Sequence, residues 1–246
     1  MTTDPKLSDW LGMEYCSSLT KCTLLRRYKR FLADVRLDDG TEITVHCPNP
    51  GSMMGVAPEG APAWISTSPN KNRKLAHTLE LVDVDGGLVA INTNNPNKIG
   101  EEAIRAGQIP ELTSYASIKR EVKYGENSRI DILLDMPGGS QTFVEIKNVH
   151  LMRQQGLAEF PDSVTTRGAK HLGELTSMRA QGARAVMLFI VQRMDCETLK
   201  PAEDLDPAYA KALRSAAAAG VETLCYDCEV TVDGVTLRKK LPVILD

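Results

Sequence analysis

"SRIDILLDMPGGSQTFVEIKNV", Ser128 to Val149, decides how the second half of this chain folds. Two strand-like runs flank Pro137-Gly138-Gly139, a turn-forming triplet, so the segment reads as a β-hairpin. Setting Met136 opposite Ser140 across a three-residue loop places Ile132 opposite Val144 and Asp131 opposite Glu145. Side chains alternate between the faces of a strand. Ile130, Ile132, Leu134, Val144 and Ile146 then share one face, and Asp131, Leu133, Phe143, Glu145 and Lys147 share the other. The first set is a core face. The second puts three charges beside two large apolar side chains.

Directly opposed carboxylates repel, and partial burial adds on the order of several kcal/mol for each unpaired ion. A cation between them removes the conflict. Lys147 can neutralise one carboxylate, and a divalent ion that prefers hard oxygen ligands, Mg²⁺ or Mn²⁺, can neutralise both. Two readings follow. In one, Asp131, Glu145 and Lys147 form a salt-bridge network on a half-exposed sheet. In the other, Asp131 and Glu145 hold the metal for phosphodiester hydrolysis and Lys147 orients the attacking water and offsets charge on the phosphate oxygens. The arrangement resembles the Asp…Glu-x-Lys pattern of the PD-(D/E)xK nucleases. In those proteins an acid on the first helix often adds a ligand, and "GEEAIRAG" supplies Glu101 and Glu102. Glu102 is preferred because it directly precedes Ala103-Ile104, which should pack inward; an acidic first turn favoured by the helix dipole is the alternative. Pro161-Asp162 follows the Glu-x-Lys instead of preceding it and is set aside.

Around the hairpin the elements read as a helix near Ile99 to Ala106, strands at Ile118 to Tyr124, Arg129 to Asp135 and Thr142 to Val149, and a helix at Arg167 to Gln181. A strand at Ala185 to Val191, a helix at Pro207 to Ala219 and a last strand at Val221 to Val230 complete the order. Upstream, Thr23 to Thr93 alternates short β-like runs with turns such as Asp39-Gly40 and Gly86-Gly87, which predicts a small all-β barrel or sandwich; its five strands suit an oligonucleotide-binding (OB) barrel, though the spacing fits other small β folds as well. The fold class is α+β with a mixed sheet. An OB-like barrel spans 1–93, and an αβββαβ nuclease-like domain spans 94–246.

Composition narrows the function. A net charge of −3 excludes a uniformly basic, histone-like protein, so any nucleic-acid contact uses local patches. The start "MTTDPKLSDWLGMEYC" has no apolar leader core, and the longest apolar run, Ala185 to Val191, is far shorter than a membrane span. A cytoplasmic protein without membrane association is expected. Cys225 and Cys228 lack the second pair that a zinc site needs.

Basic residues cluster in three places. "KCTLLRRYKRF" supplies Arg26, Arg27, Lys29 and Arg30 with Tyr28 available for stacking; "NKNRK" adds Lys71, Arg73 and Lys74. Arg167, Lys170 and His171 open the helix after the hairpin, where a helix N-terminus attracts phosphate. The alternatives are a charged strand edge that blocks unwanted pairing and a structural histidine.

The blocks "RRYKRFLADV", "CPNPGSM", "SRIDILL", "VEIKNV", "FPDSVTTRGAKHL" and "DPAYAKAL" resemble the sugar fermentation stimulation protein A family over nearly the whole chain. That resemblance implies an OB-like barrel, a PD-(D/E)xK nuclease-like domain, DNA binding without sequence preference, and a link to the regulation of sugar metabolism, particularly maltose. It places the nuclease pattern on Asp131, Glu145 and Lys147. Three functions are therefore carried forward: a Mg²⁺-dependent DNA phosphodiesterase, a DNA-binding regulator without catalysis, and an adaptor whose charges are structural. The sequence leaves homodimer formation open.

Overall fold

The computed structural model describes residues 12–125 and 128–246; most of the N-terminal stretch read above for a leader lies outside them. The chain opens with β1 (Met13–Glu14) and then builds β2 (Thr20–Tyr28), β3 (Leu32–Leu37), β4 (Glu42–His46), β5 (Pro62–Thr67), β6 (His77–Val84) and β7 (Gly87–Ala90). Strands β2, β3 and β4 form an antiparallel meander, β5 pairs with both β2 and β6, and β4 meets β6 in parallel at His46 and Thr78. That closure makes β2 to β6 a five-stranded barrel with OB connectivity, to which β7 is appended. Leu24, Val35, Val45, Ile65 and Leu79 fill it, each from the inward side of its strand. The loop joining β2 to β3 holds Lys29 and Arg30 at φ of 49° and 63°, a left-handed backbone that costs about 1 kcal/mol or more per non-glycine residue.

The second domain begins with α1 (Pro96–Arg105), three residues earlier than the apolar pattern predicts, because Pro96 sits in the first turn, where its missing N–H is no loss. It continues through β8 (Ser117–Tyr124), β9 (Ser128–Asp135), β10 (Gln141–Val149), β11 (Leu151–Gln154), β12 (Gly156–Phe160), α2 (Thr166–Ala180), β13 (Arg184–Val191), β14 (Cys196–Pro201), α3 (Pro207–Ala218), β15 (Glu222–Val230) and β16 (Gly234–Lys240). The main sheet has the order β1-β16-β15-β13-β10-β9-β8. Its centre, β10, β13 and β15, is parallel, and its flanks are antiparallel. Strand β13, "RAVMLFIV", is buried on both faces, as a central parallel strand requires. One face packs with α1 and the barrel residues Leu81 and Ala90; the other packs with α2 and α3 through Leu172, Leu175, Tyr209 and Leu213.

Three expectations change. Sheet pairing does not end at Val230: β16 adds a strand to the main sheet, and β11, β12 and β14 make a separate three-stranded sheet in which the β11–β12 hairpin pairs in parallel with β14 some forty residues on, an interval too long for a local pattern to show. The hairpin register is as read, Ile132 opposite Val144 and Met136 N–H on Ser140 C=O, but Ile130 lies with Leu133 and Phe143 under α2, not with Ile132. Alternation breaks at Asp131, where β9 parts from β10 and Glu121 of β8 takes a φ of 53°.

The two domains are bracketed by the loop after β4. Arg27 donates to the carbonyls of Arg30, Asn49, Gly51 and Ser52. Ser52 Oγ and the Met53 N–H donate to Asp162, whose carboxylate also lies 3.5 Å from His150 Nε2. A Cβ at Gly51 would come within 2.4 Å of that carboxylate, so only glycine allows the approach. Pro161-Asp162, set aside as a motif, is thus an interdomain contact.

Candidate functional site

Where β9 and β10 part, the Asp131 side chain fills the gap. Oδ2 accepts from the Ile146 N–H at 2.7 Å, and Oδ1 accepts from Asn97 Nδ2 of α1 at 2.7 Å. Glu145, the residue before Ile146, is 2% exposed, and its Oε1 accepts from Lys147 Nζ at 2.6 Å and from His171 Nδ1 of α2. Its Oε2 is buried with no hydrogen-bond partner, as is the Tyr124 hydroxyl. Burial, then the charge of Glu145, pushes the Asp131 carboxyl up to about 6. Burial works the same way on Glu145, but the His171 hydrogen bond and the Lys147 charge outweigh it and hold that carboxyl below its ordinary range. Tyr124 is pushed up by burial and by the charges of Glu145, Glu174 and Asp131, which places its hydroxyl in the same negative field. The structure therefore joins Asp131, Glu145 and Lys147 in one partly buried locus.

The fit to a divalent ion rests on the oxygens left over. Glu145 Oε2 is a buried carboxylate oxygen without a donor, and Asp131 is a second hard-oxygen group whose ionisation Glu145 opposes; a cation there answers both. Among the described residues no group of three or more His, Cys, Asp and Glu side chains is arranged to hold a metal ion. Backbone oxygen and water would have to complete the shell, as Mg²⁺ commonly allows. Glu102 is not brought to the pair. On α1 the contact with Asp131 is made by Asn97, and Glu102 lies about 140° round the helix from it. Lys98 lies 3.7 Å from Glu102. Glu101, nearer the Asn97 face, is paired with Arg105 and Arg120. The helix supplies an amide where the sequence suggested an acid, and the missed signal was a polar residue one turn before Glu101.

The basic residues divide by role. Lys29 and Arg30 are exposed on the β2–β3 loop, and Lys71, Arg73 and Lys74 are exposed on the β5–β6 connection, with Arg73 reaching Thr78 Oγ1 at 3.3 Å. Those are the two loops with which OB barrels bind oligonucleotides. Arg30 also lines a cleft of about 310 Å³ between the domains, together with Gly51, Asn148, His150, Asp162 and Thr165. Arg26 pairs with Asp34 and covers the Tyr28 ring, its guanidinium carbon 4.9 Å from the ring centroid, so one face of that ring is already stacked. Arg27 is spent on the bracket carbonyls and does not face outward as a phosphate ligand. Arg167 is exposed in the first turn of α2, capped by Thr165, and Lys170 pairs with Glu174 at 3.6 Å. His171 is 4% exposed and faces Glu145, which corrects its assignment to DNA contact. Burial raises the Cys225 and Cys228 thiols, and both are free and sealed in the core.

An OB-like barrel followed by a mixed α/β domain, with an Asp, Glu and Lys at the parting of its central hairpin, defines the class of protein. Residues 94–234 match the family described as the sugar fermentation stimulation protein RE domain, and residues 25–91 match the SfsA N-terminal OB domain. A sugar fermentation stimulation protein homolog of Rhodospirillum centenum is 56% identical over 229 residues, covering 93% of this chain and 98% of the relative. That of Maricaulis maris is 53% identical over 233 residues, covering 95% and 99%. The structure of Pyrococcus furiosus SfsA in complex with Ca²⁺ superposes with a TM-score of 0.85 at 30% identity, covering 94% of this chain and 98% of that one. The chain belongs to the sugar fermentation stimulation protein family. No helix among the described residues is long and apolar enough to cross a membrane.

Proposed function

We propose that this protein binds DNA without strong sequence preference and hydrolyses its phosphodiester bonds with Mg²⁺ or Mn²⁺ held by Asp131 and Glu145. The observation that carries the reading is the partnerless Glu145 Oε2, buried beside a carboxyl that burial and the Glu145 charge push up to about 6. The Ca²⁺ of the Pyrococcus furiosus relative supports it, being another hard divalent cation of oxygen ligands. Bound there, the metal would polarise the phosphate and lower the pKa of water. Lys147, 14% exposed and 2.6 Å from Glu145, is positioned to orient that water and to offset charge growing on the phosphoryl oxygens. Asn97 and the Ile146 N–H fix the rotamer of Asp131. Lys29, Arg30, Lys71, Arg73, Lys74 and Arg167 contact the phosphate backbone, which gives affinity without base readout. The strained backbone at Lys29 and Arg30 supports this, because it keeps two cations at a loop where glycine would fold more easily.

Supercoiled plasmid tests the reading. The full chain is expected to nick it with Mg²⁺ or Mn²⁺ and to stop when EDTA is added, while DNA binding persists in EDTA and weakens steeply as salt rises. Binding without nicking under every metal condition would leave a catalytically silent regulator. Failure to retain DNA at physiological salt would leave an adaptor.

A further inference from the structure

His171 has three polar neighbours, and two of them assign its proton. Nδ1 faces Glu145 Oε1, an acceptor, and Nε2 lies 3.3 Å from Arg167 Nε, a donor. The ring satisfies both when it is neutral with hydrogen on Nδ1 and a lone pair on Nε2. A proton on Nε2 would oppose the Arg167 N–H. Lys147 Nζ, 3.4 Å from Nδ1, donates to the same Oε1, so that one oxygen of Glu145 carries two donors while the other carries none. On the other side of the ring, Arg167 commits Nε and has no other partner among the described residues, leaving its terminal nitrogens exposed.

We propose that His171 is a positioning residue: from α2 it fixes Glu145 so that Oε2 alone is offered to a divalent ion. The inference rests on the reading of Asp131 and Glu145 as a metal site. Groups that hold a ligand from behind set its orientation, and their loss weakens metal binding about 10–100-fold in well-studied sites. Thr165 ties α2 in place, capping it with Oγ1 while its own N–H donates to Asp206 at the start of α3, so the ring approaches Glu145 from a braced helix.

Two measurements on the full chain decide it. Long-range ¹H–¹⁵N NMR of the metal-free protein is expected to show His171 protonated at Nδ1 and bare at Nε2; the opposite tautomer overturns the proposal. Calorimetric Mn²⁺ titration is expected to show at least about a tenfold loss of affinity in His171→Ala. His171→Asn, whose amide N–H can stand where Nδ1–H stands, should recover to within about threefold of wild type. DNA affinity in EDTA should be unchanged in both variants and reduced in Arg167→Ala. Wild-type Mn²⁺ affinity in His171→Ala, or a loss of metal-free DNA binding matching Arg167→Ala, would overturn the inference and leave the metal site standing. If wild type binds no more Mn²⁺ than Glu145→Gln, the site reading falls and this inference falls with it.

Discussion

Lys147→Ala should cut the rate of metal-dependent plasmid nicking by about 10²- to 10⁴-fold, equivalent to about 3 to 5 kcal/mol of barrier. The ammonium sits 2.6 Å from Glu145 Oε1 and is largely shielded from water, so its charge acts with little screening on whatever phosphate is presented to the pair. Its removal leaves His171 as the remaining donor to that oxygen. Binding should barely change, since one lysine lowers the salt slope by about one at most. Asp131→Asn should be as damaging to nicking for a different reason. Both oxygens of Asp131 accept, one from Asn97 and one from Ile146, and an amide can serve only one of those donors while its NH₂ opposes the other. Equal nicking by both variants and wild type would point to a contaminating nuclease.

Arg27→Ala is expected to lower stability to urea by about 2 to 4 kcal/mol, because charge-assisted hydrogen bonds contribute about 1.5 to 3 kcal/mol each where water cannot replace them. Of its four carbonyl partners, Asn49 and Gly51 are met in part-buried bonds, while those to Arg30 and Ser52 are exposed and can be hydrated. The loop they hold carries Gly51 against Asp162 and the Met53 N–H onto it, so slack in the loop loosens the contact between the barrel and the second domain. Arg26→Ala, one residue away and solvent-exposed, should leave the urea midpoint nearly unchanged. Were Arg27→Ala fully stable but defective in DNA binding, the guanidinium would have to face phosphate, contrary to its four carbonyls.

The hairpin was legible because a three-residue turn and a two-residue period leave one register that buries Ile132 against Val144. The small β region and the mixed sheet followed from the order of short strands and helices, while the OB connectivity rested on the family resemblance, because the spacing of five short strands fits other small β folds. Other features needed contacts between distant parts of the chain. The parting of β9 from β10 at Asp131 depends on α1 delivering Asn97 and on Glu121 leaving the strand conformation, and no alternation pattern encodes that. His171 reads as a basic residue at a helix start, and only the packing of α2 across β10 turns its ring inward to Glu145. Arg27 belongs to a run of cations in sequence, yet β2 aims it at the carbonyls of a loop more than twenty residues on. Glu102 was favoured by its neighbours Ala103 and Ile104, which do pack inward, but its position round α1 takes its carboxylate away from the contact with Asp131.

The central claim is that Asp131 and the unpaired oxygen of Glu145 share a divalent ion. Crystals grown with Mn²⁺ and measured at the manganese absorption edge test it most directly. The expected result is one anomalous peak within coordination distance, about 2.1 to 2.3 Å, of Asp131 and Glu145 Oε2, with Lys147 still on Oε1. Contradiction would be full Mn²⁺ in the solvent with no peak between those carboxylates.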